Sequence, residues 1–264
     1  FAKDFLIPLK IWQAFVAFCL FCFVSGSAYV LNDIVDRHKD ALHPQKQQRP
    51  IAAGLLSPTI AAAWALFFML SSLILAFFLN SNFAWILVAY AMLTGGYTIY
   101  LKNIVILDVL IIAAGFVLRA VGGAFAIQEE VSSWLIICTI FLALFMALGK
   151  RRAEFIALGS VAGDVRKTLS QYDRAFLDQM IIISTTACLM AYALYTLDPV
   201  TVAKFGTRNL VLTLPFVIYG LFRYLYLMYH KNLGESPENA IWGDKPILIC
   251  VAFYIIIVVV IIYA

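Results

Sequence analysis

Charge is scarce in this chain. Asp, Glu, Lys and Arg make up 13% of its 264 residues, about half the share found in a typical soluble domain. A soluble globular protein needs charge to cover its surface, so that class is excluded. A disordered chain is excluded too, because it combines few apolar residues with high net charge. Histidine is rarer still: His38, His43 and His230 are scattered and match no zinc-site spacing. No glycine-rich G-x-x-x-x-G-K loop is present to cradle nucleotide phosphates. The five cysteines, Cys19, Cys22, Cys138, Cys188 and Cys250, all fall inside apolar runs. Cys19 and Cys22 have C-x-x-C spacing but no second pair, so they are expected to be small apolar residues and not a disulfide scaffold or metal site.

What the chain has is hydrophobicity. Apolar residues make up 64% and aromatics 15%, and the mean hydropathy is +0.93. These residues fall in eight runs, at about 11–31, 57–79, 83–100, 105–127, 131–149, 177–196, 209–229 and 246–263. A helix needs ~20 apolar residues to cross the hydrocarbon layer. The runs do not alternate as barrel strands do, so the backbone must satisfy itself within each segment. The expected fold is all-α, a polytopic transmembrane helix bundle with eight helices. The pairs Gly95–Gly96 and Gly122–Gly123 read as close helix packing. The chain opens on Phe1 without a signal-peptide pattern, and further sequence is expected upstream.

The basic residues are distributed unevenly. Connections 32–56 (Arg37, Lys39, Lys46, Arg49), after helix three (Lys102), 150–176 (Lys150, Arg151, Arg152, Arg166, Lys167, Arg174) and after helix seven (Lys231, Lys245) hold 13 of the 19. The intervening connections hold Lys204 and Arg208, and one of them carries Glu129 and Glu130. Basic loops stay in the cytosol, which predicts that the four rich connections share the cytosolic face of the cell (plasma or inner) membrane. The pI of about 8.8 then reflects that face and suits anionic lipids or phosphorylated substrates, not nucleic acid.

Acids are few, and three of them stand close together. In Asn32-Asp33-Ile-Val-Asp36-Arg-His-Lys-Asp40, a helix continuing from the first run would put Asn32, Asp36 and Asp40 in one row with Asp33 beside it. Like charges at this spacing destabilise a helix unless a cation compensates. Oxygen-only donors suit a hard ion such as Mg²⁺, which binds through one or two carboxylates and substrate phosphates. The bland reading is a solvated acidic helix end. The loop that follows, His43-Pro44-Gln-Lys46-Gln-Gln-Arg49-Pro50-Ile-Ala-Ala-Gly54, supplies separated cations. Positive-inside anchoring explains those cations alone; a Mg²⁺-bound diphosphate held between acids and bases explains both.

These two segments resemble the first signature of the UbiA-type intramembrane prenyltransferases. The resemblance implies a helical bundle, usually of nine helices, with a central cavity open to the cytosol, a Mg²⁺ ion held by Asn32, Asp33, Asp36 and Asp40, and a bound diphosphate. It covers residues 1–264 as a single domain, with a short first helix expected upstream. The family's second Asp-rich motif is not matched. The corresponding connection reads Gly149-Lys150-Arg151-Arg152-Ala-Glu154, then Arg166-Lys167 and Tyr172, with Asp164, Asp173 and Asp178 irregularly spaced. Cations there would contact phosphate directly. This is similar to the polyprenyl-phosphate phosphoribosyltransferase branch of the family, as are Leu118-Arg119-Ala120 and Gly234-Glu235.

The resemblance implies transfer of a 5-phosphoribosyl group from phosphoribosyl diphosphate to a polyprenyl phosphate of decaprenyl type. Asp33, Asp36 and Asp40 would carry the catalytic metal. Asn32, Lys46, Arg49, Lys102, Arg119, Lys150, Arg151, Glu154 and Tyr172 would bind substrate. The ionised phosphate nucleophile needs no general base. Arg119 lies about fourteen residues into the fourth helix, a climb of ~21 Å. It reads either as a contact at the cavity roof or as a snorkelling cation. For Tyr97, Tyr100 and Tyr172, pocket lining competes with interface packing. The rival enzyme reading is an aromatic prenyltransferase using a polyprenyl diphosphate donor. A transporter or channel would need charges along a path across the membrane, whereas here they cluster at one face. Membrane lipids are the expected surroundings, and a homo-oligomer is compatible with all of this.

Overall fold

The computed structural model describes residues 7–42, 46–159, 168–231, 234 and 237–263. Among them there are helices and no strand. Eight helices have membrane length and apolar composition: α1 (Pro8–Asp40), α2 (Pro58–Leu79), α3 (Ser81–Ile99), α4 (Leu107–Ala126), α5 (Ser133–Leu158), α6 (Arg174–Leu197), α8 (Leu214–His230, led in by a 3₁₀ stretch Asn209–Thr213) and α10 (Lys245–Tyr263). The protein is therefore integral to a membrane. Two short α-helices, α7 (Pro199–Phe205) and α9 (Pro237–Gly243), are also present among the described residues.

Local signals set the helix starts. Proline opens α1 and α2 near N1, where its missing N–H costs nothing. Asn80, Asp173 and Asp198 each accept a hydrogen bond from the backbone N–H three residues on, capping α3, α6 and α7. Gly206 ends α7 in the left-handed conformation, φ 73°.

One boundary agrees with the sequence expectation and one differs. α1 runs unbroken through the acidic row to Asp40, as the spacing of that row implied. α5 continues through Lys150, Arg151, Arg152 and Glu154 to Leu158, so the first part of the connection expected over 150–176 is helical. Lys, Arg, Ala and Glu are strong helix formers, and Arg151 pairs with Glu154 one turn on.

The helices fall into two compact units. In the N-terminal unit, α1 packs on α2, α3 and α4, and α3 packs on both α2 and α4. Its core joins Ala17, Leu20, Phe21 and Val24 of α1 to Phe83, Leu87 and Tyr90 of α3 and to Ala126. Gly122 is needed here: a Cβ would stand 2.7 Å from the ring of Phe21. Gly95 and Gly123 have open space beside them, so close packing accounts for only part of the two glycine pairs. In the C-terminal unit, α5 packs along α6, and α8 packs on α6 and α10. Tyr192, Tyr195, Phe205 and Leu210 form a second core there. Cys188 and Cys250 are buried, Cys22 is exposed, and all five thiols are free. Large apolar residues such as Phe78, Trp85, Ile255 and Ile256 point outward. In water that would be a fault; in lipid it is the solvated face.

Candidate active site

The last three turns of α1 present the acidic row, and two cations from other segments grip it in pairs. Arg49 follows the 3₁₀ turn Lys46–Gln48. Its Nη1 donates to Asp33 Oδ1 at 2.6 Å and to Asp40 Oδ2 at 2.9 Å. These two carboxylates belong to residues seven apart, about 10 Å along the axis. Lys102 sits on the 3₁₀ turn Leu101–Asn103. Its Nζ donates to Asn32 Oδ1 at 3.2 Å and to Asp36 Oδ2. Asp40 and Lys102 are buried, and the others are half-buried. The row thus divides into Asn32–Asp36 under Lys102 and Asp33–Asp40 under Arg49. Lys46 lies beside them in sequence on the same loop. His43 and Pro44 fall outside the described residues.

The connection that carries Lys102 is held tightly. It ends at Ile106, whose φ is 68°, a conformation that strains a β-branched residue. Asp108, in the first turn of α4, is fully buried.

A cavity of about 140 Å³ opens between α1, α3 and α4. Asn32 lines it, so it adjoins the acidic row. Ser25, Tyr90 and Arg119 line it as well. The Arg119 guanidinium donates to Ser25 Oγ at 2.9 Å and to Tyr90 Oη, and it lies 5.1 Å from the centre of the Tyr90 ring. Of the two readings open for Arg119, the structure gives the inward one. Ser25 stands seven residues before Asn32 on α1, about 10 Å deeper along the helix. Thr94, Tyr97 and Thr98 add hydroxyl groups to the wall. Sequence reasoning missed Ser25, Tyr90, Thr94 and Thr98, because hydroxyls inside apolar runs carry no spacing signal.

The remaining expected residues lie in the C-terminal unit. Arg151 and Glu154 are both buried and ion-paired. Lys150 is exposed. Tyr172 is buried and stacks on Phe176. The next cation, Arg152, is 2% exposed. It donates to Asp178 and lies 4.1 Å over the Tyr229 ring, while Tyr229 Oη donates to the same Asp178 oxygen at 2.9 Å. Two glycines from separate motif fragments meet here: a Cβ on Gly234 would come within 3.0 Å of the Gly149 carbonyl oxygen. Asp164, Arg166, Lys167 and Glu235 lie outside the described residues.

The sequence profile of the UbiA prenyltransferase family matches residues 3–243. The chain belongs to that family. Its relatives include the decaprenyl-phosphate phosphoribosyltransferase of Mycolicibacterium smegmatis, 32% identical over 86% of this chain and 73% of that protein. The enzyme of the same name from Corynebacterium glutamicum is 30% identical over 94% of this chain and 75% of that protein. A UbiA homolog from Archaeoglobus fulgidus, bound to DMAPP and Mg²⁺, superposes with a TM-score of 0.72 at 17% identity, over 95% of this chain and 87% of that one. This UbiA family member is therefore a membrane-embedded transferase with the family's helical fold.

Asn32, Asp33, Asp36 and Asp40 supply only oxygens, as a hard cation requires, and they carry one more negative charge than Arg49 and Lys102 neutralise. The donor chemistry fits Mg²⁺. The arrangement is closed, however: among the described residues no three acidic, histidine or cysteine side chains converge as a metal site. The carboxylates face cations instead.

Proposed function

We propose that this UbiA family member transfers a 5-phosphoribosyl group from phosphoribosyl diphosphate to a polyprenyl phosphate in a Mg²⁺-dependent reaction, releasing diphosphate. Residues 1–264 would act as one catalytic domain in the cell membrane, with the acidic row on the cytosolic side. The observation that carries the reading is the charge chemistry: one carboxylate cluster matched to Arg49 and Lys102, and a Gly149-Lys150-Arg151-Arg152-Ala-Glu154 segment in place of a second carboxylate motif. The names of the two phosphoribosyltransferase relatives support it.

Asn32, Asp33, Asp36 and Asp40 would hold the metal, which offsets the charge that builds on the departing diphosphate as the anomeric bond breaks. Arg49 and Lys102, with Lys46, bind diphosphate oxygens through charge-assisted hydrogen bonds. Lys150 and Arg151, with Glu154 orienting Arg151, bind the donor's further phosphate, and Arg119 and Tyr172 are substrate contacts. The nucleophile is a phosphate oxygen that is already ionised, so these residues orient and neutralise, and no side chain has to remove a proton. In-line attack gives inversion at the anomeric carbon. The acceptor's prenyl tail stays in the bilayer.

The test is product analysis. Membranes containing the protein are supplied with radiolabelled phosphoribosyl diphosphate and polyprenyl phosphate, and the lipid extract is resolved by thin-layer chromatography. A labelled, Mg²⁺-dependent lipid is expected. No labelled lipid, together with transfer from a polyprenyl diphosphate to an aromatic acceptor, would replace this reading with the aromatic prenyltransferase.

A further inference from the structure

The carboxylates of the site already have partners, and this bears on how a metal can enter. Lys102 is 8% exposed and comes from a connection far along the chain, 66 residues after Asp36. Its ammonium lies against two oxygens of the acidic row, Asn32 and Asp36. Arg49 uses a single nitrogen to hold Asp33 and Asp40. A bare divalent ion must either push both cations off their carboxylates or sit among them against like-charge repulsion. A divalent ion that enters with a diphosphate brings its own negative charge. The displaced ammonium and guanidinium then find phosphate oxygens, for which N–H donors of this kind are well suited.

We propose that Lys102 and Arg49 are resident counter-cations, seated on the acidic row until a divalent ion and a diphosphate arrive together and then transferred to the phosphate oxygens. This deepens the reading above and rests on its diphosphate, but not on its sugar. The site is selective for the metal–diphosphate pair over either component alone. Metal and diphosphate bind with positive coupling, and the coupling is reciprocal. The strained backbone at Ile106 fits such a role. Strain of this kind persists only where the surroundings hold a segment in place, and the segment held here carries the Lys102 ammonium.

The test is Mn²⁺ binding to the purified full chain, read by electron paramagnetic resonance with and without inorganic diphosphate. In wild type, Mn²⁺ alone is expected to bind weakly, and diphosphate to tighten it by roughly tenfold or more. In Lys102→Met and in Arg49→Gln, Mn²⁺ alone should bind tighter than in wild type by roughly tenfold, and the gain from diphosphate should shrink. Lys102→Arg, which keeps the charge, should restore the wild-type pattern. Asp36→Asn should abolish Mn²⁺ binding, leaving the free-ion signal undiminished, and so place the probe at this site.

Unchanged or weaker Mn²⁺ affinity in either folded variant overturns the proposal for that residue. Full Mn²⁺ binding in Asp36→Asn overturns it for both. Arg49 lies on a loop and Lys102 is buried, so Arg49→Gln carries the test should Lys102→Met fail to fold. Inorganic diphosphate is common to sugar and prenyl donors. A failed phosphoribosyl assignment therefore leaves this result standing, and a failed counter-cation role leaves the product assay standing.

Discussion

The two units treat charge in opposite ways. In the N-terminal unit, three carboxylates share two cations, each cation serves two side chains, and most of the groups keep contact with solvent. In the C-terminal unit a single carboxylate takes two cations: Asp178 has Arg152 and, at 3.9 Å, Arg174. Arg151 holds Glu154, with both side chains 4% exposed. Arg152 is sealed between Asp178 and the Tyr229 ring. Arg223 donates through two nitrogens to Asp244, at 3.2 and 2.9 Å, and holds its carboxyl below the usual carboxylate range. Three carboxylates on two shared cations make a site that can exchange partners. A matched, desolvated pair resists exchange, because removing either member strands the other. On the proposed reading the difference separates charges that meet substrate from charges that hold the fold, and Lys150, the exposed cation of its segment, is the one open to a ligand.

The largest expected effect is at the surplus. Asp33→Asn or Asp36→Asn should lower turnover by roughly 10²–10³-fold or more while the circular dichroism and the melting temperature stay near wild type. Near-normal turnover with Mg²⁺ chelated would sink the metal role.

The sealed pairs should behave the other way. Arg152→Ala leaves Asp178, 28% exposed, with Tyr229 and Arg174 and should cost about 2 kcal/mol of stability, read from the melting midpoint in detergent. Tyr229→Phe, which removes one hydrogen bond and keeps the ring, should cost about 1 kcal/mol. If Arg152→Ala melts like wild type, the contrast between the units fails.

The smallest effect should sharpen the comparison. Lys150→Ala should change stability by less than about 0.5 kcal/mol and weaken donor affinity by roughly tenfold. Arg151→Ala should do both kinds of damage, because Glu154 loses the ion pair with Arg151. Donor affinity unchanged in both variants would remove these residues from the site.

Most of the fold was legible because membrane-length apolar runs are a strong signal, and the i, i+4 spacing of Asn32, Asp36 and Asp40 announced that α1 continues past the membrane. The extension of α5 was harder to see. Its cations read as the mark of a loop, and nothing in the sequence said that Arg151 and Arg152 would be buried against acids. The α7 start was written in Asp198-Pro199, an N-cap followed by an N1 proline, but its seven residues were hidden between longer runs. In the site, the residue types were legible and the pairing was not. Sequence separations of 66 and 70 between Lys102 and its partners carry no local pattern, and Tyr90 is one of 13 tyrosines.

The 33 residues of α1 make a rod about 50 Å long, against a hydrocarbon layer of ~30 Å. No proline interrupts it after Pro8, so the acidic row continues the membrane span as one helix. A span of this kind meets a thinner bilayer by tilting, and the tilt carries the carboxylates with it toward the headgroup phosphates. Were α1 to tilt together with the helices packed on it, bilayer thickness would set the height at which Asp33, Asp36 and Asp40 stand.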